Sequence, residues 1–264
     1  MASGPARDDE LAARLRAAGC VFAEEEAALL VAAAESPDEL ERLATARVQG
    51  EPLEQLLGWA EFCGLRITVA PGVFVPRQRT ALLVSEAARL VRPGDVVVDL
   101  CCGSGAIGAA LLTAVPGIVL HAADSEEAAV RCARHNLPGA QVHRGDLFAA
   151  LPVELSGRVA VVACNAPYVP SEAIALMPPE AREHEPRVTL DGGADGLAVL
   201  RRVVAGAPGW LRARGSLVFE TGAGQVSAAE AMLVSAGMEV RVARDPDAGA
   251  TVLVGTAARR DLRP

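Results

Sequence analysis

Three short stretches of the chain carry residue types and spacings suited to chemistry on a small ligand. The first, Asp99-Leu100-Cys101-Cys102-Gly103-Ser104-Gly105, joins an apolar run to a helical pattern. Glycines at such a junction let the backbone approach a ligand at a helix N-terminus. Asp124 follows Gly103 by twenty-one residues, at the end of the next apolar run. A carboxylate at that point can accept hydrogen bonds from both ribose hydroxyls of an adenosine. The turn is not the full GxGxxG of a dinucleotide site, because position 101 is cysteine and no pyrophosphate cradle is evident. The third stretch, Asn165-Ala166-Pro167-Tyr168, comes directly after the unbroken apolar run 159–164 and holds the only tyrosine of the chain. An amide side chain and a backbone carbonyl can together hold both hydrogens of a planar NH2 group, with an aromatic ring packed against its carrier. Each stretch also has a plain reading: a tight strand-to-helix turn, an asparagine that forms a turn before proline, a tyrosine that caps a core edge.

The elements that must position these residues follow from periodicity. Residues 8–57 read as short helices, with Leu11, Leu15 and Ala18, then Leu29, Leu30 and Ala33, at helical spacing. Ser36-Pro37-Asp38 caps a helix over 38–49, which Gly50 ends. From residue 60 to 76 the pattern turns extended, as in a β-hairpin. Beyond it, strands and helices alternate: strands at 96–100, 118–123, 140–143, 159–164 and 216–220, helices at 106–113, 125–136, 196–211 and 225–236. That alternation implies a mostly parallel, doubly wound sheet. Two last strands, 239–243 and 251–255, are joined by a short loop and should be antiparallel neighbours.

Composition bounds the function classes. Of 264 residues 51% are hydrophobic and 22% charged, which supports a sizeable core. The net charge of −8 argues against a broad nucleic-acid surface, which needs a basic face. The first nineteen residues are charged and carry no apolar core, so no signal peptide is expected, and the apolar run 27–34 is too short to span a bilayer. Cys20, Cys63, Cys101, Cys102, Cys132 and Cys164 show no CxxC spacing; reduced core thiols in a cytoplasmic protein, and no metal, are the expectation.

Together with Gly145-Asp146-Leu147-Phe148, the three stretches resemble the class I S-adenosylmethionine-dependent methyltransferases. More narrowly, the chain resembles the glutamine side-chain N(5)-methyltransferases of peptide-chain release factors. Further matches are Glu51-Pro52, Gly58 with Glu61-Phe62, Val75-Pro76-Arg77 with Thr80, Glu185-Pro186, the block from Leu190 to Leu197, and Glu220-Thr221-Gly222-Ala223-Gly224-Gln225. The resemblance runs from about residue 50 to 256 and implies a seven-stranded Rossmann-like α/β sheet. It implies three parts: a helical N-terminal domain over 1–57 that contacts the substrate, a linking β-hairpin over 58–76, and a catalytic domain over 77–264 that binds S-adenosylmethionine.

By that resemblance Cys101, Cys102, Gly103, Ser104 and Gly105 pass along the methionyl part of the cofactor, and Asp124 holds the ribose. Asp146 and Leu147 flank the adenine. Asn165, Ala166, Pro167 and Tyr168 form the catalytic loop, with Asn165 also beside the cofactor. The implied partner is a protein, a release factor, with no membrane and no nucleic acid; the oligomeric state is open. Rival readings are methyl transfer by the same fold to another protein, a small molecule or the N6 of a nucleic-acid adenine, and binding of S-adenosylmethionine without catalysis. An NAD-dependent dehydrogenase is disfavoured by the incomplete phosphate turn. The chain departs from the family pattern at several points. Ala166 replaces the first proline of Asn-Pro-Pro-Tyr, and Cys101 replaces a glycine. Pro76-Arg77-Gln78-Arg79-Thr80-Ala81 loses the acid that ends Pro-Arg-Pro-x-Thr-Glu. His184 stands where an aromatic often precedes Glu-Pro, and the helical N-terminal region is short.

Overall fold

The structure, a computed structural model, describes residues 4–258; residues 1–3 and 259–264, at the two ends of the expected domains, lie outside them. Four helices come first: α1 (Gly4–Ala17), α2 (Ala23–Ala33), α3 (Pro37–Val48) and α4 (Leu53–Leu57). They enclose a small core of their own around Leu15, Ala27, Leu30 and Leu43. α3 starts as its sequence predicts, with Ser36 Oγ accepting from the Glu39 N–H at 3.2 Å and Pro37 in the first turn. Arg47 closes the unit from within, donating from Nε to Glu26 at 2.6 Å.

The linking hairpin is β1 (Trp59–Phe62) and β2 (Leu65–Thr68), paired antiparallel. Both turn residues are left-handed, Cys63 at φ 51° and Gly64 at φ 74°, the geometry whose twist matches the flanking strands. After Thr68 the chain leaves strand geometry, so the expected extended run to residue 76 is hairpin and then loop.

Alternation of strand and helix then builds one sheet. In chain order the elements are α5 (Ala81–Ala88), β3 (Val96–Leu100), α6 (Ala106–Ala114), β4 (Val119–Asp124), α7 (Glu127–Asn136), β5 (Gln141–Arg144) and β6 (Val159–Cys164). They continue with α8 (Pro179–His184), α9 (Ala198–Trp210), β7 (Leu211–Glu220), α10 (Val226–Ser235), β8 (Met238–Asp245) and β9 (Ala250–Ala257). The seven strands stand in the order β5-β4-β3-β6-β7-β9-β8. Only β9 runs antiparallel, against both β7 and β8, as the short connecting loop implies. α5 is not expected from the sequence: the run is only eight residues, mostly apolar, with Ser85 and Glu86 side by side and no side-chain cap. β7 begins at Leu211, directly against α9, earlier than the expected residue 216.

Leu83, Leu111 and Leu137 pack on one face of the sheet with Val97 and Val161, while Leu200, Phe219 and Leu233 pack on the other with Val98 and Val162. β3 has β4 on one side and β6 on the other, so the chain reverses its winding there. A crevice opens beyond the carboxyl ends of the strands at such a reversal. Among the described residues no helix is long and apolar enough to cross a membrane.

Candidate active site

The loop after β3 turns through left-handed backbone at Cys101 (φ 57°), Gly103 (φ 54°) and Gly105 (φ 80°). Cys101 therefore stands in a conformation that disfavours any side chain, which is why glycine is the easier residue there. Asp124, at the end of β4, holds this loop by its backbone: Oδ2 accepts from the Gly103 N–H at 2.9 Å and Oδ1 from the Glu126 N–H at 3.0 Å. Each carboxylate oxygen keeps a second acceptor position, enough for two further hydroxyls. Burial raises the Asp124 carboxyl above its usual value, and the two N–H bonds oppose that rise. Beneath the loop Asp99 is fully buried; Oδ2 accepts from the Gly108 N–H at 2.9 Å and Oδ1 has no partner. Burial pushes its carboxyl up to about 8.

The cavity these loops enclose measures about 350 Å³, within the range of small-molecule sites. Cys101, Cys102, Gly103, Ser104, Asp124, Asp146 and Leu147 line one end, and Asn165, Ala166, Pro167 and Tyr168 the other. Gly105 does not line it. It opens α6, packed so closely that a Cβ would lie 2.9 Å from Leu137 Cδ1 and 3.2 Å from Ala133 Cα. The Asp146 carboxylate is engaged by Arg202 from α9, which also lines the cavity and which sequence reasoning missed.

At the other end, the Asn165 side chain makes no hydrogen bond to any described residue, although it directly follows the central strand β6 and lines the cavity. Ala166 is buried against the Leu200–Phe219 core, and its N–H has no partner among the described residues. The loop is braced from distant parts of the chain. The Val169 N–H donates to Leu190 O at 3.0 Å and the Gly192 N–H to Val169 O at 2.8 Å. Gln225 Nε2 donates to Tyr168 O and to Asp195 O, each at 2.9 Å. Gly196 is required by this close packing, since a Cβ there would lie 2.2 Å from Tyr168 O. The blocks 190–197 and 220–225 thus brace the loop at 165–168.

The facing wall comes from the altered arginine block. Arg77 donates to the buried Glu185 at 2.5 Å, and burial raises the Glu185 carboxyl against the pull of Arg77. Arg79, Thr80 and Tyr168 converge on Glu220, the last residue of β7. Burial, together with the Glu220 carboxylate, pushes the Tyr168 phenol well above its usual value, and Arg79 opposes that shift. Among the described residues no three His, Cys, Asp or Glu side chains converge to hold a metal ion, and the six cysteines are free thiols.

The acid at the end of β4, the left-handed loop beyond β3 and the cavity between them fit S-adenosylmethionine. Sheet order and site define a class I S-adenosylmethionine-dependent methyltransferase. Residues 64–177 match the methyltransferase small domain. The chain is similar to the release factor glutamine methyltransferase of Geobacter sulfurreducens, 36% identical over 220 residues, covering 80% of this chain and 76% of that one. It is also similar to the 4-amino-L-phenylalanine/4-methylamino-L-phenylalanine methyltransferase of Streptomyces pristinaespiralis, 38% identical over 200 residues, covering 72% and 68%. In fold it matches a methyltransferase from Pyrococcus furiosus with a TM-score of 0.56 at 14% identity, covering 74% of this chain and 90% of that one. The chain belongs to the release factor glutamine methyltransferase family.

Proposed function

We propose that the chain transfers a methyl group from S-adenosylmethionine to the side-chain amide nitrogen of a glutamine in a peptide-chain release factor. The observation that carries the reading is the unpaired Asn165 amide on the same cavity as Asp124 and the loop after β3. When bound, S-adenosylmethionine supplies an electrophilic methyl carbon. Asp124 takes the ribose hydroxyls on its two remaining acceptor positions, while Asp146 and Leu147 flank the adenine. A carboxamide nitrogen is a weak nucleophile because its lone pair is delocalised. As it gains its new bond, its N–H protons become strongly acidic, and acceptors on them bind more tightly in the transition state than before it. Asn165 Oδ1 and the Ala166 carbonyl are those acceptors, and Pro167 and Tyr168 hold the acceptor carbon chain in line. The N–C bond forms as the S–CH3 bond breaks to leave a neutral thioether, and no strong base is needed because the proton, by then acidic, passes to water.

The helical unit over 1–57 contacts the acceptor protein in this reading. Support comes from its contact with α8, which runs directly into the cavity-lining Glu185: Arg47 lies 3.5 Å from Glu180, and Gly50 packs beside His184. The likeness to the Streptomyces pristinaespiralis enzyme brings in one competitor, an arylamine amino acid as acceptor. Radiolabelled S-adenosylmethionine separates the two, with a release factor in one arm and 4-amino-L-phenylalanine in the other. Label on the glutamine of the Gly-Gly-Gln loop supports the proposal; label on the amino acid alone overturns it.

A further inference from the structure

Three residues far apart in sequence close a ring of hydrogen bonds at the acceptor end of the cavity. Arg79 Nε donates to Glu220 Oε1 at 2.9 Å, Arg79 Nη2 donates to Tyr168 Oη at 2.7 Å, and Tyr168 Oη donates to Glu220 Oε1 at 2.7 Å. Thr80 Oγ1 completes the carboxylate by donating to Oε2 at 2.7 Å. The Arg79 guanidinium carbon also lies 5.9 Å from the centre of the Tyr168 ring. The pair is asymmetric: the Glu220 side chain is 2% exposed and that of Arg79 45%. Glu220 is thus the buried anchor, and Arg79 is the part that reaches into the cavity.

We infer that Arg79 is a positioning residue for methyl transfer, holding the Tyr168 ring through the shared Glu220 carboxylate. The inference rests on the proposed role of the Asn165–Tyr168 loop. Phenol oxygen and guanidinium restrain each other, so the ring cannot swing without breaking a charged hydrogen bond. A ring held this way fixes where an acceptor group lies relative to Asn165, and small misplacements of reacting groups are costly. The altered block Pro76–Ala81 therefore acts on the acceptor end and leaves the cofactor end alone.

Arg79→Gln should lower kcat by roughly 10–100-fold, with affinity for S-adenosylmethionine within about twofold of the unaltered chain. Tyr168→Phe, which removes only the hydroxyl, should lose a similar factor. The double variant should be no slower than its slower parent, because groups that act as a unit are not additive. Arg79→Lys keeps the charge beside Glu220 with a single donor group and should fall between; it also serves if the Gln variant does not fold. Tyr168 is the only tyrosine, so ring-labelled tyrosine reports on this ring alone by NMR. Its Cζ resonance should move in Arg79→Gln and largely return in Arg79→Lys. An unmoved resonance, a wild-type kcat, losses that multiply in the double variant, or a parallel fall in cofactor affinity would each overturn the inference. Failure of the unaltered chain to methylate a release factor would count against the acceptor reading alone, since the NMR comparison needs no substrate.

Discussion

The proposed cofactor end of the cavity is drawn from residues 99–147, whereas the proposed acceptor end and its supports gather residues 77–80, 165–169, 185–196 and 220–225. The first is made mostly of backbone: left-handed turns after β3, held by one carboxylate that accepts two N–H groups. The second depends more on side chains: Glu220 grips Arg79, Thr80 and Tyr168, and Gln225 grips the Tyr168 and Asp195 carbonyls. A backbone-built site tolerates a changed side chain, as at Cys101. A site built from interlocked side chains passes any change on to its neighbours. Catalysis should therefore be fragile at one end and binding robust at the other.

The largest effect expected from this contrast is on rate. Asn165→Ala should lower single-turnover transfer by about 10²–10³, the usual loss for one preorganised partner of developing charge. Cofactor affinity and fold should be little changed, because the Asn165 amide makes no hydrogen bond to a described residue. Transfer at the wild-type rate would make the loop structural and erase the distinction between the two ends.

How much of this was legible in the sequence follows the same division. That the turn at 99–105 and Asp124 meet was readable because their placement depends on local order: strand, glycine turn, helix, strand, acid. Asn165–Tyr168 was readable as a motif, yet what holds it was not. Arg79 meets Tyr168 and Glu220 only because β6 and β7 are neighbours and α5 docks beside them, and α5 itself gave no clear periodic signal. Arg202 reaches Asp146 across a gap that no spacing rule spans. In the sequence Glu220 and Gln225 are marked by resemblance alone, and their physical task depends on the strand order.

At the cofactor end the next effect is on affinity. Asp124→Ala removes the proposed acceptor of two ribose hydroxyls, worth about 1.5–3 kcal/mol for hydrogen bonds to a charged group. Calorimetry should show binding of S-adenosylmethionine weakened roughly tenfold or more. The same carboxylate pins the Gly103 and Glu126 N–H groups, so a thermal melt of the variant without cofactor separates loosening of the loop from loss of ribose contacts. Unchanged affinity would move the cofactor site elsewhere.

A smaller effect lies beneath the loop and appears in pH dependence. The Asp99 carboxyl, pushed up to about 8 when folded, titrates near 4 when unfolded. Between those values the folded chain keeps a proton that the unfolded chain has lost, so this group makes stability fall as pH rises from about 4 through 8. The slope is limited to about 1.4 kcal/mol per pH unit. Asp99→Asn cannot titrate and should flatten that decline. Urea unfolding at pH 6 and pH 8 should show a smaller loss in the variant, by roughly 1–2 kcal/mol. Equal losses would mean that Asp99 is ionised in its buried place.

Cys101→Gly should have the smallest effect, and it tests the backbone claim most directly. A left-handed residue with a side chain costs about 1–2 kcal/mol, which glycine would recover. Glycine also gains freedom in the unfolded chain, worth roughly 0.4–1 kcal/mol in the opposite direction. The thiol further packs against the Leu100–Cys164 side of the core, and that contact would be lost. These contributions nearly cancel, so stability should change by less than about 1 kcal/mol. Binding and transfer should not change at all, because the loop presents its backbone to the cofactor whichever residue stands at 101. A tenfold loss of cofactor affinity in Cys101→Gly would show that the thiol itself touches the cofactor. The cofactor end would then depend on side-chain contacts as the acceptor end does, and the contrast between them would fail.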